Sequence, residues 1–212
     1  VRIGFNHRYH RALRKAREIF DSGALGEMMY VRGRYGHGGR PGYEKEWRAA
    51  PEVSGGGELI DQGVHVIDLS RWFLGEFPHV QGFAHTFYWD MPVDDNAFLT
   101  LRTATQQTAF LHVSCSEWKN LFSLEIFGTG GALLMEGLGR SYGTETLVKH
   151  TRNPAGGAPV TEKWEYPEED HSWRLEWEDF MSAIERGTPM LGNVDDGVAA
   201  MRMLDALYRS VN

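Results

Sequence analysis

The middle of the chain, residues 79–166, is a succession of short segments in which apolar and polar residues alternate. The clearest segment is Thr108 to Ser116, where Ala109, Leu111 and Val113 fall on one side. Alternation with a period of two is the pattern of a strand that buries one face. Because the turns between neighbouring segments are short, the sequence predicts a large and largely antiparallel sheet.

Helical periodicity lies outside this run. Apolar residues recur at helical spacing in residues 13–20, 175–186 and 198–208, and the apolar run after Gly57 predicts a further helix that ends near Gly75. We therefore expect an α+β fold, in which helices pack on one face of a large, predominantly antiparallel mixed sheet. The other face of the sheet is expected to be an interface between copies of the chain.

Two segments near the start of the chain also have strand patterns. Val1 to Phe5 alternates weakly, and Met28 to Tyr35 alternates with large side chains on both sides. We predict a strand for each of these segments.

Composition restricts the class of protein. The length of 212 residues suits one large domain with a substantial core, which we place at residues 1–212. The formal net charge of −7 argues against nucleic acid or an anionic membrane surface as the main partner. No apolar run approaches the roughly 20 residues that span a bilayer. Cys115 is the single cysteine, which excludes an internal disulfide and fits a reducing, cytoplasmic location.

A glycine-led helix carries the clearest chemical pattern. Gly55, Gly56 and Gly57 precede an apolar, helix-periodic run that holds Asp61 and His65, four residues apart. At that spacing the two side chains lie about 40° apart around the helix and about 6 Å apart along it. A carboxylate beside an imidazole can fix the orientation of the ring and raise the pKa of the imidazole above its usual value of about 6.5. The spacing therefore indicates a proton-transfer pair.

The simpler alternative is an exposed ion pair on a helix surface, which contributes only tenths of a kcal/mol. Val64 and Ile67 argue against it, because they indicate that the helix is substantially buried. A buried Asp or His needs a partner or a function.

The segment from His37 to Arg48 is interrupted by glycine and proline and predicts an irregular loop. It is rich in side chains that can hydrogen-bond a polyol, and loops on a rigid scaffold commonly hold binding residues. The alternative is a surface loop whose charges are only solvated.

Several spaced motifs together resemble one family. They are Gly4-Phe5-Asn6-His7-Arg8-Tyr9, Asp21-Ser22-Gly23-Ala24-Leu25-Gly26, Trp47-Arg48, the run from Gly55 to His65, Ile126 to Ala132, and Asp179-Phe180 through Ala183-Ile184 to Gly187-Thr188-Pro189. In this order they resemble the C-terminal domain of the Gfo/Idh/MocA family of NAD(P)-dependent oxidoreductases, over nearly the whole chain.

The resemblance implies a longer protein of two domains. Family members carry an N-terminal Rossmann domain for NAD or NADP and a C-terminal α+β domain for the substrate and for oligomerisation. The first domain is absent from residues 1–212, and we expect the chain alone to be inactive. Gly128, Gly130 and Leu133 do not complete the G-x-G-x-x-G pattern, and Glu44-Lys45-Glu46 lacks the proline of the family's Glu-Lys-Pro motif.

The resemblance also implies a function and roles for individual residues. The substrate would be a sugar, an inositol or a related polyol, oxidised by hydride transfer. His65 would be the base, or would share that role with a lysine of the missing domain, and Asp61 would orient substrate hydroxyls and the imidazole. Asp68 would be a helix-packing or capping-network residue and not a catalytic one. The residues expected to line the substrate pocket are Asn6, Arg8, His37, Tyr43 and Trp47, and those expected near the nicotinamide are Gly56 and Gly57.

Two other functions remain open at this stage. A metal-dependent hydrolase or lyase could use Asp61 and His65 as ligands, with His37 as a possible third. No third ligand lies at a spacing characteristic of metal sites. A non-catalytic oligomerisation module is the other. The partners expected for the favoured function are a small polyol and one or three further copies of the chain, as a homodimer or homotetramer through the open sheet face.

Overall fold

One sheet of eight strands organises the computed structural model, which describes residues 1–211. The strand order is β2-β3-β4-β1-β5-β6-β7-β8, and every neighbouring pair is antiparallel except β1 and β4, which are parallel. The mixed, mainly antiparallel sheet that the sequence predicts is thus confirmed. The strands are β1 (Met28–Gly36), β2 (His79–His85), β3 (Asn96–Arg102), β4 (Thr108–Ser114), β5 (Leu121–Gly128), β6 (Gly131–Glu136), β7 (Glu145–Thr151) and β8 (Val160–Tyr166).

The helices pack on one face of this sheet. Leu111, Leu124 and Leu133 are fully buried beneath them, whereas Phe110, on the opposite face of β4, is 54% exposed. α1 lies against β6 to β8, α3 against β1 and β4, and α5 against β2. The helices are α1 (Arg11–Asp21), α2 (Pro51–Ser54), α3 (Val64–Leu74), α4 (Ser172–Arg186) and α5 (Val194–Val211). None of those in residues 1–211 has the length and apolar character needed to cross a bilayer.

The strand predicted for Val1 to Phe5 is wrong. Arg2 forms only an isolated bridge with Asn193, and the Ile3 N–H donates to the carbonyl of Gly192. Without a neighbouring strand these few residues cannot form a ladder, and the chain turns directly into a 3₁₀ turn at Asn6–Tyr9.

The segment between β1 and α3 forms the wall of the candidate site. After β1 the chain runs through two 3₁₀ turns, Tyr43–Lys45 and Trp47–Ala49, before α2 and the glycine triplet. A π-helical turn, Leu59–Gly63, then continues without a break into α3. Such turns inside helices are frequent at functional sites.

Candidate active site

The glycine loop is fixed against Asp94, which lies just before β3. The Asp94 carboxylate accepts hydrogen bonds from the N–H groups of Gly57, at 3.2 Å, and Leu59, at 2.7 Å. A Cβ on Gly57 would lie 2.0 Å from the Asp94 carbonyl oxygen, so a larger residue does not fit. These contacts cap the helix that carries Asp61 and His65 and set its position over the sheet.

The same close packing accounts for Gly56. A Cβ there would lie 2.4 Å from the hydroxyl oxygen of Tyr208 on α5. Contacts within the chain therefore suffice to explain glycine at both positions. The position of Gly56 and Gly57 near a nicotinamide stays a prediction.

Asp61 is paired with Arg48. The Arg48 Nε donates to Asp61 Oδ2 at 3.0 Å, and both side chains are about one-third exposed. The Arg48 guanidinium also lies over the Trp47 ring, 4.5 Å from its centroid. The loop after β1 thus holds the carboxylate in place. The sequence did not single out Arg48 as a site residue, because it lies 13 positions before Asp61 on a separate irregular segment.

His65 is stacked within a cluster of aromatic rings. Its imidazole lies nearly parallel to that of His7, with the centroids 4.1 Å apart, and the edge of Tyr35 approaches both rings. The His7 Nδ1 is hydrogen-bonded to Asn6 Oδ1 at 3.2 Å. The His65 Nδ1 is buried and has no hydrogen-bond partner among the described residues. This leaves Nε2 as the ring nitrogen available for chemistry.

Asp61 acts on the pKa of His65 in the predicted direction, but the net shift is opposite to the predicted one. Burial lowers the pKa of His65 to about 4, and the nearby Asp61 charge opposes this only in part. Burial, together with the neighbouring His65 and His10, also lowers the pKa of His7 well below its usual value. Desolvation outweighs one carboxylate at this depth, because transferring an imidazolium out of water is costly. His65 is therefore neutral around pH 7 and able to accept a proton.

Two cavities share the Arg48–Asp61 pair in their walls. The larger, called here the histidine cavity, measures about 310 Å³ and includes Asn6, His7, His65 and Tyr142 in its wall. Of the predicted residues, Asn6, Asp61 and His65 meet in it.

The smaller cavity, called here the tryptophan cavity, measures about 130 Å³. It gathers four more of the predicted residues, which are Tyr43, Trp47, Gly56 and Gly57. His37 lies close by, with its ring 5.5 Å from that of Tyr43, but it does not line the cavity.

Glu58 also lines the tryptophan cavity, although its sequence position did not predict a site residue. Only 2% of it is exposed, and its Oε1 has no hydrogen-bond partner among the described residues. An imidazole nitrogen, His37 Nε2, is 3.7 Å from this oxygen. Burial raises the pKa of Glu58 well above its usual value, and the charges of Asp61 and Asp94 add to the effect. The spacing of Glu58, three residues before Asp61 on the same helical segment, was the available signal.

Arg8 lies away from both cavities. Its Nε donates to Asp68 Oδ2 at 2.8 Å and its Nη1 to Asp196 Oδ2 at 3.1 Å, and the residue is only 3% exposed. This geometry supports a role in packing α3 and α5 rather than the predicted contact with substrate. The same pair supports the predicted packing or capping role of Asp68, which stays a prediction.

The metal-site alternative gains no support from the geometry. No group of three His, Cys, Asp or Glu side chains within residues 1–211 is placed to hold a metal ion. Of the three ligands that such a site would use, Asp61 and His65 line the histidine cavity, whereas His37 does not.

Comparisons with known proteins agree with the fold. The inositol 2-dehydrogenase of Rhizobium meliloti is 26% identical over 99% of this chain and 62% of its own length. The D-glucoside 3-dehydrogenase of Escherichia coli is 25% identical over 97% of the chain and 61% of its own length. The chain thus spans about three-fifths of each of these relatives.

The solved structure of levoglucosan dehydrogenase in complex with NADH and levoglucosan superposes with a TM-score of 0.86. Its sequence identity is 22%, and the match covers all of this chain and 64% of that one. A family model, the GFO/IDH/MocA C-terminal domain, matches residues 13–134, which is more than half of the chain. The α+β sheet, the glycine-led helix and this match agree, and the chain belongs to the GFO/IDH/MocA C-terminal domain family.

Proposed function

We propose that this chain is the substrate-binding and catalytic half of an NAD(P)-dependent oxidoreductase that oxidises a sugar, an inositol or a related polyol. One observation carries the proposal: a single cavity of about 310 Å³ brings together the Asp61 carboxylate and the neutral imidazole of His65. The names of relatives, which include an inositol 2-dehydrogenase and a D-glucoside 3-dehydrogenase, support this class of substrate.

The roles of the two residues follow from the chemistry of carbinol oxidation. A hydroxyl proton must leave as the carbonyl forms, and a base within hydrogen-bond reach lowers the barrier. His65 would accept that proton at Nε2, because its Nδ1 is buried and its low pKa keeps the ring neutral. Asp61 would accept a hydrogen bond from a neighbouring substrate hydroxyl, while Arg48 holds the carboxylate in position.

The cofactor would be NAD or NADP, which accepts the hydride when bound. The described residues do not fit its pyrophosphate, since the turn at Gly128–Gly131 joins β5 directly to β6 as a hairpin. We propose that a Rossmann domain outside this chain holds the dinucleotide, in keeping with the larger size of the relatives. The chain alone should show no NADH binding by calorimetry, and an affinity in the micromolar range would contradict this.

The open sheet face supports a proposed homodimer or homotetramer. Phe110 is 54% exposed there, and Phe98, Arg32 and Glu125 surround it. Sedimentation at two protein concentrations would measure the oligomer.

We also propose a cytoplasmic location, which is supported by the single, buried and unpaired thiol of Cys115.

The test of the function is substitution of the two residues in the enzyme that carries this chain together with its dinucleotide domain. Asp61→Asn keeps the side-chain size and His65→Asn keeps a polar side chain without the basic nitrogen, and each should lower kcat by about 10²-fold or more. Dinucleotide affinity should stay unchanged in both variants. Full turnover in both variants would refute the assignment.

A further inference from the structure

We propose that an exposed apolar face on α4 and α5 is the docking surface of the dinucleotide-binding domain. This face, called here the α4–α5 face, consists of Trp173, Trp177, Met181 and Ile184 on α4 and of Val198 and Met201 on α5. The inference rests on the proposed oxidation at His65, because that function places the dinucleotide on a domain outside this chain. It adds the surface on which that domain sits.

α4 packs on the rest of the chain through a side that is largely polar. The buried residues of this helix are Ser172, Glu176 and Ala183. Asn6 Nδ2 donates to Ser172 Oγ at 3.2 Å, and Arg2 forms an ion pair with Glu176 at 3.1 Å. Because Asn6 also lines the histidine cavity, these contacts fix α4 beside that cavity.

The apolar stripe of α4 points away from its packed side. Trp173, Trp177 and Ile184 each follow one of the buried residues by one position, which places them about 100° around the helix from it. Trp177 and Ile184 are both 61% exposed. The apolar stripe of a surface helix ordinarily faces the core, because its burial stabilises the fold. On α4 the stripe faces outward, as is typical of a surface that binds a partner.

α5 carries a second exposed apolar stripe. Val198 and Met201 are nearly half exposed, although another side of the helix packs on β2. The first residues of the chain lie between the two helices. Arg2 Nη1 donates to a backbone carbonyl of α4 at 2.5 Å, and Ile3 packs on Gly197 of α5. A domain seated over these residues can therefore contact both stripes.

The position of the histidine cavity favours the dinucleotide domain as the occupant. Trp173 lines this cavity together with His65 and is 64% exposed. Hydride transfer requires the reacting atoms to lie about 3–3.5 Å apart, so the domain that holds the dinucleotide must approach this cavity. Docking on the α4–α5 face brings the domain there, whereas the open sheet face lies on the side of the sheet away from the helices.

The size of the relatives agrees with this occupant. The inositol and glucoside dehydrogenases extend beyond the matched part by about two-fifths of their length. Domains of one chain meet over an area of about 600–1,500 Å². The two indoles and the four aliphatic or thioether side chains of the α4–α5 face supply the apolar centre of such an interface.

Hydroxyl-radical footprinting of this chain alone, and of the enzyme that carries it with its dinucleotide domain, tests the proposal. Trp177, Met181 and Met201 should be oxidised at least about fivefold more slowly in the enzyme, because the centre of an interface excludes solvent. Met29, which is 42% exposed at the start of β1, should be oxidised equally in both. Equal rates for all four residues would overturn the docking face. The readout does not depend on turnover, so this failure is separate from a failure of the proposed function.

A substitution in the same enzyme distinguishes the domain from a second copy of the chain as the occupant. Trp177→Asp places a charge in the interface and should lower kcat/KM for the dinucleotide about tenfold, with an unchanged sedimentation coefficient. Glu185→Ala, an exposed change outside the apolar stripe of α4, should alter neither quantity. A smaller oligomer in Trp177→Asp would assign the face to a second copy and overturn the proposal, as would an unaltered kcat/KM.

Discussion

The imidazole of His65 stacks on that of His7, with centroids 4.1 Å apart and planes inclined by 20°. Two protonated rings at this separation would repel each other, so each ring disfavours the charged form of the other. Burial acts in the same direction on both. Burial thus keeps the proposed base neutral, even though the charge of Asp61 favours the protonated ring.

Stability should fall on mild acidification because of this pair. An unfolded histidine has a pKa of about 6.5, whereas the folded pKa of His65 is about 4 and that of His7 is also lowered. Between these values the unfolded chain binds more protons, so stability is complete above about pH 6.5 and is lost as the pH falls toward the folded pKa. For His65 alone, the loss from about pH 7.5 to about pH 5 should be about 2 kcal/mol.

Urea unfolding at those two pH values would measure the loss. In His65→Gln, the change in the free energy of unfolding between the two pH values should be smaller by the same amount. His79→Gln, which changes an exposed histidine outside the cluster, serves as the control. An identical pH dependence in wild type and His65→Gln would contradict the prediction.

Arg48→Ala should affect turnover much more than folding. The Arg48–Asp61 pair is partly exposed, and such pairs contribute only up to about 1 kcal/mol to stability. Without the guanidinium, Asp61 loses the contact that fixes its carboxylate in the histidine cavity, and kcat/KM should fall about tenfold or more. Steady-state kinetics of the intact enzyme would show this as a loss in kcat as well as a rise in KM.

A nearby arginine provides the control for that experiment. Arg40 forms an exposed pair with Glu46 in the same loop and lines neither cavity. Arg40→Ala should leave kcat and KM at their wild-type values. Equal kinetic losses in Arg48→Ala and Arg40→Ala would contradict the prediction, because they would show that turnover depends on the loop as a whole and not on the Arg48–Asp61 pair.

Much of the fold was predictable because local pattern and tertiary burial agree. Thr108–Ser114 alternates in sequence and forms a strand that buries Leu111 and exposes Phe110. Val1–Phe5 alternates as well, but pattern alone does not supply the neighbouring strand that a ladder needs. The sequence-based prediction therefore failed where a partner strand, and not the pattern, decides the structure.

The site was predictable only in part, for a similar reason. Helical spacing correctly places Asp61 and His65 beside one cavity. Spacing cannot show how deeply a ring is buried, and burial reversed the expected pKa shift of His65. Nor can it show that a distant arginine, Arg48, takes Asp61 as its partner, or that Arg8 is occupied by Asp68. These depend on contacts between segments far apart in sequence.

Gly57→Ala should destabilise the fold because a side chain has no space there. The added Cβ would lie 2.0 Å from the Asp94 carbonyl oxygen, and backbone atoms cannot move aside cheaply. Overpacking of this kind should lower the free energy of unfolding by about 3 kcal/mol, as measured by urea denaturation. Gly4→Ala is the matched control, because a Cβ there meets nothing within 4 Å. A similar, small effect in both variants would rule out close packing at Gly57.

Asp68→Asn should be among the most destabilising single changes outside the cavities. Asp68 is 1% exposed and accepts two hydrogen bonds from the guanidinium of Arg8, which is itself buried. The amide keeps the shape but removes the charge, and Asp196 alone then faces the Arg8 cation. Breaking a buried pair in this way should lower the free energy of unfolding by about 3 kcal/mol. Asp205→Asn, which removes an exposed pair with Arg209, should cost less than about 0.5 kcal/mol. If Asp68→Asn lowers the free energy of unfolding only slightly, the packing role of Arg8 is contradicted, and Arg8 is again a candidate for contact with substrate.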